Sequence, residues 1–361
     1  MYDPYPATLA NVKKIAVLRP NGVGDFVFSL PALHALRSAY PDARITYIGQ
    51  RWHADFFKVR PGPFNEVAVI PPYPGVGAAL DADPAQAESF IESMRAAELD
   101  LAVQLYGGGR YSNPFIKRLG ARLTIGLKAI DAEPLDRWIS FDRLQNRRLQ
   151  FLEVTALVGA NRMQLTRELE VTSEDRQEAA AVASPDLSKP LVLIHPGGGD
   201  TRRHWPAKRF SAVADALSEA GALIAVNGSA SAIEMRIARD VVDGMRHPAI
   251  DLSGKLSLCG LCGLLTRCTL VVSNDSGPLH LALAIGTPSV GIYWLTNLYE
   301  AGPLVQDKHR AALSARVNCP VCGAENLASR CPHDASFVDD VALEEVIGMA
   351  MQLFLDRRWR Q

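Results

Sequence analysis

Asp25 stands at the end of the turn Asn21-Gly22-Val23-Gly24, between an apolar run at residues 14–19 and a stretch of helical spacing at residues 25–39. A carboxylate there could take a proton from a substrate hydroxyl, or it could simply cap the next helix; from the residues alone the cap is the simpler account. A second cluster, His195-Pro196-Gly197-Gly198-Gly199-Asp200-Thr201-Arg202-Arg203-His204-Trp205-Pro206, mixes glycines with cations directly after another apolar run. Glycines let backbone N–H groups approach an anion, Arg202, Arg203 and Lys208 add positive charge, and Pro206 suits a first helical turn. That is the chemistry of a diphosphate cradle, set against a plain loop with solvated arginines.

The third cluster is Ser273-Asn274-Asp275-Ser276-Gly277-Pro278-Leu279-His280. A helix starting near Gly277 would aim free N–H groups and the positive end of its dipole at an anion, with His280 one turn in as a donor. Capping by Asp275 or Ser276 is compatible with that role. Glu234, after Asn227-Gly228-Ser229, could hold ribose hydroxyls, although an acidic residue in a first turn is commonplace. Asp81-Ala82-Asp83 has the D-x-D form of a metal site, but Pro84 comes next, so Asp83 as N-cap with proline at the first helical position is the better account.

The six cysteines form two groups. Cys259, Cys262 and Cys268 lie in an apolar helical stretch and read as buried thiols. Cys319-Pro320-Val321-Cys322 followed by Cys331-Pro332-His333 has the spacing of a zinc knuckle in a polar loop. Three thiols and an imidazole would close a structural zinc site; a redox pair and a chance C-x-x-C are the other readings.

These residues need a scaffold, and the alternation of the chain supplies one. Apolar runs at residues 14–19, 44–49, 67–70 and 99–105 alternate with helical patterns at 25–39, 85–97 and 144–158. Pro31 should bend or restart the first helix. The pattern begins again near Lys189, with strands at 191–194, 222–226, 270–273 and 289–293 and helices at 206–220, 231–242 and 277–285. This predicts two α/β units with mostly parallel sheets. The expected division is residues 1–180, residues 181–340, and a last helix in 341–361 that could pack back on the first unit; residues 183–190 have linker chemistry.

Composition narrows the function. At 361 residues, 48% hydrophobic and 21% charged, the chain is globular and long enough for two domains. A net charge of −1 argues against nucleic acid as the main partner. No leader-like or bilayer-length apolar run is present, so the expectation is a cytoplasmic protein whose membrane role goes no further than peripheral contact at the inner membrane. A nicotinamide dehydrogenase is disfavoured: Phe28 and Ser29 stand where a third glycine would fall, and Gln50 replaces the acidic residue that would hold a ribose.

Four blocks together resemble glycosyltransferase family 9, the ADP-heptose:lipopolysaccharide heptosyltransferases. They are residues 14–49 with Gly24, Asp25 and Pro31 to Leu33; residues 195–210 with Trp205 and Pro206; residues 254–258; and residues 274–293 with Asp275 to His280. The resemblance implies a GT-B fold, two Rossmann-like domains facing a central cleft, with acceptor in the first and nucleotide sugar in the second. It implies inverting transfer of a heptose from ADP-heptose to a lipopolysaccharide-core or related glycan, free or lipid-linked, with no catalytic cofactor or metal. By position, Asp25 matches the proposed general base, Glu234 the ribose-binding glutamate and Leu256 the apolar residue beside the adenine. Asp275, Ser276, Gly277 and His280 match the diphosphate-binding helix start. Arg203 falls where the family carries a phosphate-binding lysine, and Gly198 and Gly199 where heptosyltransferase I carries threonines; arginine keeps the charge but changes its geometry. The rivals are a nucleotide-sugar epimerase on the same architecture and a non-catalytic nucleotide-sugar-binding protein.

Overall fold

The computed structural model describes residues 7–77, 83–141, 144–182, 189–327 and 329–356. Contacts divide the chain into two compact units, residues 1–170 and 171–361.

The first unit runs β1 (Lys14–Leu18), α1 (Val23–Ala39), β2 (Arg44–Gly49), α2 (Arg51–Phe56), β3 (Glu66–Val69), α3 (Pro84–Ala96), β4 (Leu101–Gln104), α4 (Ser112–Arg118), β5 (Leu123–Lys128), β6 (Arg137–Ser140) and α5 (Arg147–Ala156). Its six strands pair in parallel in the order β3-β2-β1-β4-β5-β6. The central strands are apolar without alternation, because helices cover both faces: Ile15 to Leu18 and Leu101 to Val103 are fully buried. Helix α1 continues through Pro31, which is buried inside it, so the expected restart does not occur. One core gathers Leu18, Ile48, Ile91, Ala102, Phe115 and Leu119.

The second unit runs α6 (Ser173–Val182), β7 (Leu191–His195), a 3-10 turn at Thr201–Arg203, α7 (Ala207–Glu219), β8 (Leu223–Val226), α8 (Ala232–Asp243), β9 (Ala249–Asp251), α9 (Leu258–Leu265), β10 (Cys268–Asn274), α10 (Gly277–Ile285), β11 (Ser289–Trp294), α11 (Leu295–Ala301), β12 (His309–Ser314) and α12 (Leu343–Leu355). Its parallel order, β12-β11-β10-β7-β8-β9, repeats the connectivity of the first sheet. The core joins Val192, Ile194, Trp205, Phe210, Val272, Phe337 and Phe354.

Two boundaries differ from the sequence expectation. Helix α6 packs on α9 and so belongs to the second unit, which places the division ten residues earlier than expected, at Glu170 and Val171. Gly263 permits that packing, since a Cβ there would lie 2.0 Å from the Asp175 carbonyl oxygen. The last helix, α12, packs on α7 and on β10 to β12, where its apolar face is buried, so it belongs to the second unit. Six of the eight residues of the expected linker, 183–188, lie outside the described residues. Among the described residues, no helix is long and apolar enough to cross a membrane.

Candidate functional site

In each sheet the strand order reverses direction between the first and fourth strands of its unit, and the crevice at the carboxyl ends of those strands is where open α/β sheets bind ligands. The polar clusters sit there.

In the first unit β1 leads into Arg19, which is buried. Its Nη1 donates to the Leu105 carbonyl beyond β4 at 2.6 Å, and its guanidinium lies 4.7 Å from the Phe151 ring. Its Nη2 donates to Asp25 Oδ1 at 2.5 Å. Burial pulls Arg19 below its ordinary value, with the Asp25 charge opposing the shift. The N-cap of α1 is Gly22, and no side chain caps it. Asp25 is therefore not the cap but the third helical residue, and its carboxylate stays partly exposed, tied to Arg19. Behind it Phe26 meets Tyr47, Trp52, His53 and Phe57 edge-on. Tyr47 donates to the Arg19 carbonyl at 2.5 Å and Gln50 Nε2 to the Pro20 carbonyl at 2.9 Å, which holds the turn. His53 accepts from the Gln50 N–H at 2.9 Å, and burial lowers its imidazole to about 3, so it is neutral. The loops after β3 and β4 converge at the same edge: Gly75 (φ +71°) lies against the Tyr111 ring, which leaves no room for a side chain.

In the second unit β7 opens into the glycine-rich loop, and Asn274 at the end of β10 cross-links it. Asn274 Nδ2 donates to the Pro196 carbonyl at 2.7 Å, while its Oδ1 accepts from the Trp205 N–H at 3.1 Å. Asp200 accepts from the Arg202 N–H at 3.0 Å and pairs with the Arg202 guanidinium at 2.7 Å, so Arg202 is bound within its own turn. Arg203 turns the other way. Its Nη1 donates to Asp275 Oδ2 at 2.9 Å, and His280 Nε2 meets Asp275 Oδ1 at 2.9 Å. Burial alone would push the Asp275 carboxyl up, but His280 and Arg203 outweigh it and hold the group below the usual carboxylate range. Helix α10 begins after Ser276, whose side chain does not cap it; Ser276 Oγ instead lies 3.1 Å from Ser273 Oγ. The amides of Gly277 and Leu279 thus face the crevice without a side-chain cap, Pro278 having no N–H.

Glu234 lies in the first turn of α8, behind the N-cap Ser231, and accepts from the Ser229 N–H at 2.7 Å. A Cβ on Gly197 would be 2.8 Å from the Glu234 carboxylate, so a glycine is required for the two to touch. The Gly254 N–H donates to the Gly228 carbonyl at 2.9 Å, which brings the half-buried Leu256 to the rim that carries Glu234. Gly198 lies beside His204, and Gly199 borders open space. Seven of the expected residues, Gly198, Gly199, Arg203, Asp275, Ser276, Gly277 and His280, thus surround one crevice edge, with Glu234 and Leu256 along the adjoining rim. Sequence reasoning missed Arg19, and it gave Gly197 and Asn274 no role of their own within their clusters. The signal for Arg19 was a charge at the end of a wholly apolar strand; Asn274 carried none until its partners were known.

Asp83 caps α3, accepting from the Ala85 N–H at 2.9 Å with Pro84 in the first turn, while Asp81 lies outside the described residues. Cys262 and Cys268 are buried, and burial pushes the Cys268 thiol up to about 12. The ligand atoms of Cys319, Cys322, Cys331 and His333 all lie within 4.8 Å of one another.

Two doubly wound parallel sheets of identical connectivity, each with its polar residues at the reversal point, make a GT-B-like α/β fold. The sequence profile of glycosyltransferase family 9 (heptosyltransferase) matches residues 89–328, and the chain belongs to that family; it is a glycosyltransferase. It is 22% identical to the lipopolysaccharide core heptosyltransferase OpsX of Haemophilus influenzae over 81% of this chain and 82% of that one. A crystal structure of a family 9 glycosyl transferase from Veillonella parvula shares the fold with a TM-score of 0.80 at 22% identity, covering 97% of this chain and 100% of the other. The E. coli ADP-heptose LPS heptosyltransferase II structure matches with a TM-score of 0.73 at 17% identity, over 96% and 100%.

Proposed function

We propose that this glycosyltransferase moves a heptose from ADP-heptose to a sugar hydroxyl of a lipopolysaccharide-core or related glycan, with inversion and without a catalytic metal. The observation that carries the reading is the Arg203–Asp275–His280 cluster at the uncapped start of α10. Asp275 accepts from Arg203 Nη1, and the other guanidinium donors, which bond to no group among the described residues, can meet a diphosphate together with the α10 amides. Glu234 at the adjoining rim supplies acceptors for ribose hydroxyls, and Leu256 an apolar edge for the base. The names of the relatives support ADP-heptose as donor and the lipopolysaccharide core as acceptor.

The chemistry rests on charge. The acceptor oxygen attacks the anomeric carbon as its proton passes to the Asp25 carboxylate, held by Arg19. The bond from the anomeric carbon to the diphosphate oxygen breaks on the opposite face, and the negative charge that gathers on the departing diphosphate is met by Arg203, His280 and the α10 N-terminus. Calorimetry across ADP, UDP, GDP and their sugars is the test. Tightest binding of ADP and ADP-heptose, with transfer only when a core glycan is added, supports the reading. Preference for another base, or release of free or rearranged sugar without acceptor, overturns it.

A further inference from the structure

Residues 319–327 and 329–333 bring four side chains of metal-ligand type together in a way that the donor crevice does not require. Cys319, Cys322, Cys331 and His333 present three sulfurs and a ring nitrogen within 4.8 Å of one another. Four thiolate and imidazole ligands around a tetrahedral zinc ion stand about 3.8 Å apart or less, so small side-chain rotations would complete the shell. The turn that brings Cys322 back over Cys319 has the backbone of a metal knuckle: the Val321 N–H points at Cys319 Sγ at 3.4 Å, the Gly323 N–H donates to the Cys319 carbonyl at 2.9 Å, and Gly323 takes φ +74°. A second observation points to a ligand: His333 Nδ1 is buried with no hydrogen-bond partner among the described residues. A buried polar atom left so is costly unless something fills its valence.

The segment after His333 gives the cluster a role. Residues 334–341 run as a strap along the loop that carries Arg203. Asp334 meets Thr201 Oγ1 at 3.4 Å, the Phe337 N–H donates to the Arg202 carbonyl at 2.7 Å, and Ser336 Oγ donates to the His204 carbonyl at 2.7 Å. Trp205 Nε1 donates to the Val341 carbonyl at 3.1 Å, and Arg209 Nη1 to the Asp339 carbonyl at 2.6 Å. Phe337 packs on Trp294 (centroids 4.9 Å apart), and the Arg202 guanidinium lies 5.3 Å from the Trp294 ring. The strap is therefore bonded along its length to the donor loop, and its leading end is the four-ligand cluster.

We propose that Cys319, Cys322, Cys331 and His333 bind one zinc ion and that this ion anchors the strap that sets the loop carrying Arg203. The consequence for nucleotide affinity rests on the reading of that loop as the diphosphate cradle; the anchoring itself does not. Zinc acts here as a structural ion with a closed shell, at a site separate from the reacting atoms.

The full chain, expressed with zinc in the medium, should carry about one zinc per molecule by elemental analysis, as a closed four-ligand site requires. Removal by a chelator should speed amide exchange at residues 197–205 and 334–341 while β1, β2 and β4 of the first unit keep their protection, and added zinc should restore it. Cys322→Ser, at an exposed ligand whose loss disturbs no packing, should show the same exchange with no rescue by zinc; Cys322→His should keep both ion and protection. ADP affinity should fall about tenfold in the zinc-free protein. A chain that binds no stoichiometric zinc, a Cys319–Cys322 disulfide by mass, or zinc loss that leaves exchange at 197–205 unchanged overturns the proposal. Faster exchange with unchanged ADP affinity supports the anchor and overturns the diphosphate reading of the loop instead.

Discussion

The two units share one connectivity and place an arginine–aspartate pair at the same point of it, but with opposite polarity. In the first, Arg19 is the buried partner, its side chain 5% exposed, and Asp25 is 44% exposed. In the second, Asp275 is the buried partner at 1%, and Arg203 is 27% exposed. One crevice therefore offers a carboxylate to whatever enters it, the other a guanidinium backed by a helix N-terminus. The fold supplies the crevice, and the choice of which charge to bury sets which charge the crevice presents.

The largest test of that contrast is Asp25→Asn. An amide keeps the size and the bond to Arg19 but cannot take the proton, so single-turnover transfer should fall by about 10²–10⁴. Nucleotide-sugar binding, measured on the same folded variant, should stay at the wild-type level. Near-normal transfer would remove the first crevice from the chemistry.

Arg203→Ala probes the other crevice. Loss of the outward cation should weaken ADP by about 1.5–3 kcal/mol in calorimetry, the scale of a charge-assisted hydrogen bond. Unchanged affinity would leave α10 and its amides as the only anion contacts. Arg203→Lys should recover part of the loss, because a point charge replaces the fork.

Acid should reveal the buried imidazoles. His53 is lowered to about 3 and His195 is lowered as well, both chiefly by burial. For such a group the unfolded chain binds the extra proton first, so its contribution is whole above the unfolded value near 6.5 and shrinks as pH falls toward the folded value. From His53 alone, stability should drop by about 1.6 kcal/mol between pH 6.5 and 5. Denaturant melts at the two pH values should differ less in His53→Gln than in the wild type; an equal difference contradicts the assignment.

The smallest expected effect is none. On the proposed mechanism, magnesium or manganese added after chelation should not raise transfer, because Arg203, His280 and the α10 amides would take the part of a metal on the diphosphate. Restoration of an inactive, folded enzyme by either ion would show that the second crevice is incomplete without one.

Much of this was readable in the chain. The central strands β1, β4, β7 and β10 are apolar runs that burial on both faces demands, and the three polar clusters stood out because each comes directly after one of those runs or its turn. The short edge strands β6 (Arg137–Ser140) and β9 (Ala249–Asp251) were not readable, because half-buried strands of three or four mixed residues carry no period. Helix α1 read as bent or restarted at Pro31, yet that proline is buried and the helix runs on without a restart. Asp25 read as a cap, since sequence does not distinguish the cap from the third helical residue when both come after a glycine turn.

The sequence by itself determined that there are two α/β units, that glycine and cation come after β7, that a polar helix start comes after β10, and that three cysteines and a histidine lie at metal-ligand spacing. These are properties of neighbours along the chain, and short-range spacing records them. The tertiary structure alone decided that Arg203 meets Asp275 across 72 positions of sequence, that Arg19 stands behind Asp25, and that the strap after His333 lies on the loop carrying Arg203. Those pairings depend on which strands become neighbours in the sheet, and the alternation of apolar runs constrains strand order only through packing of the whole unit.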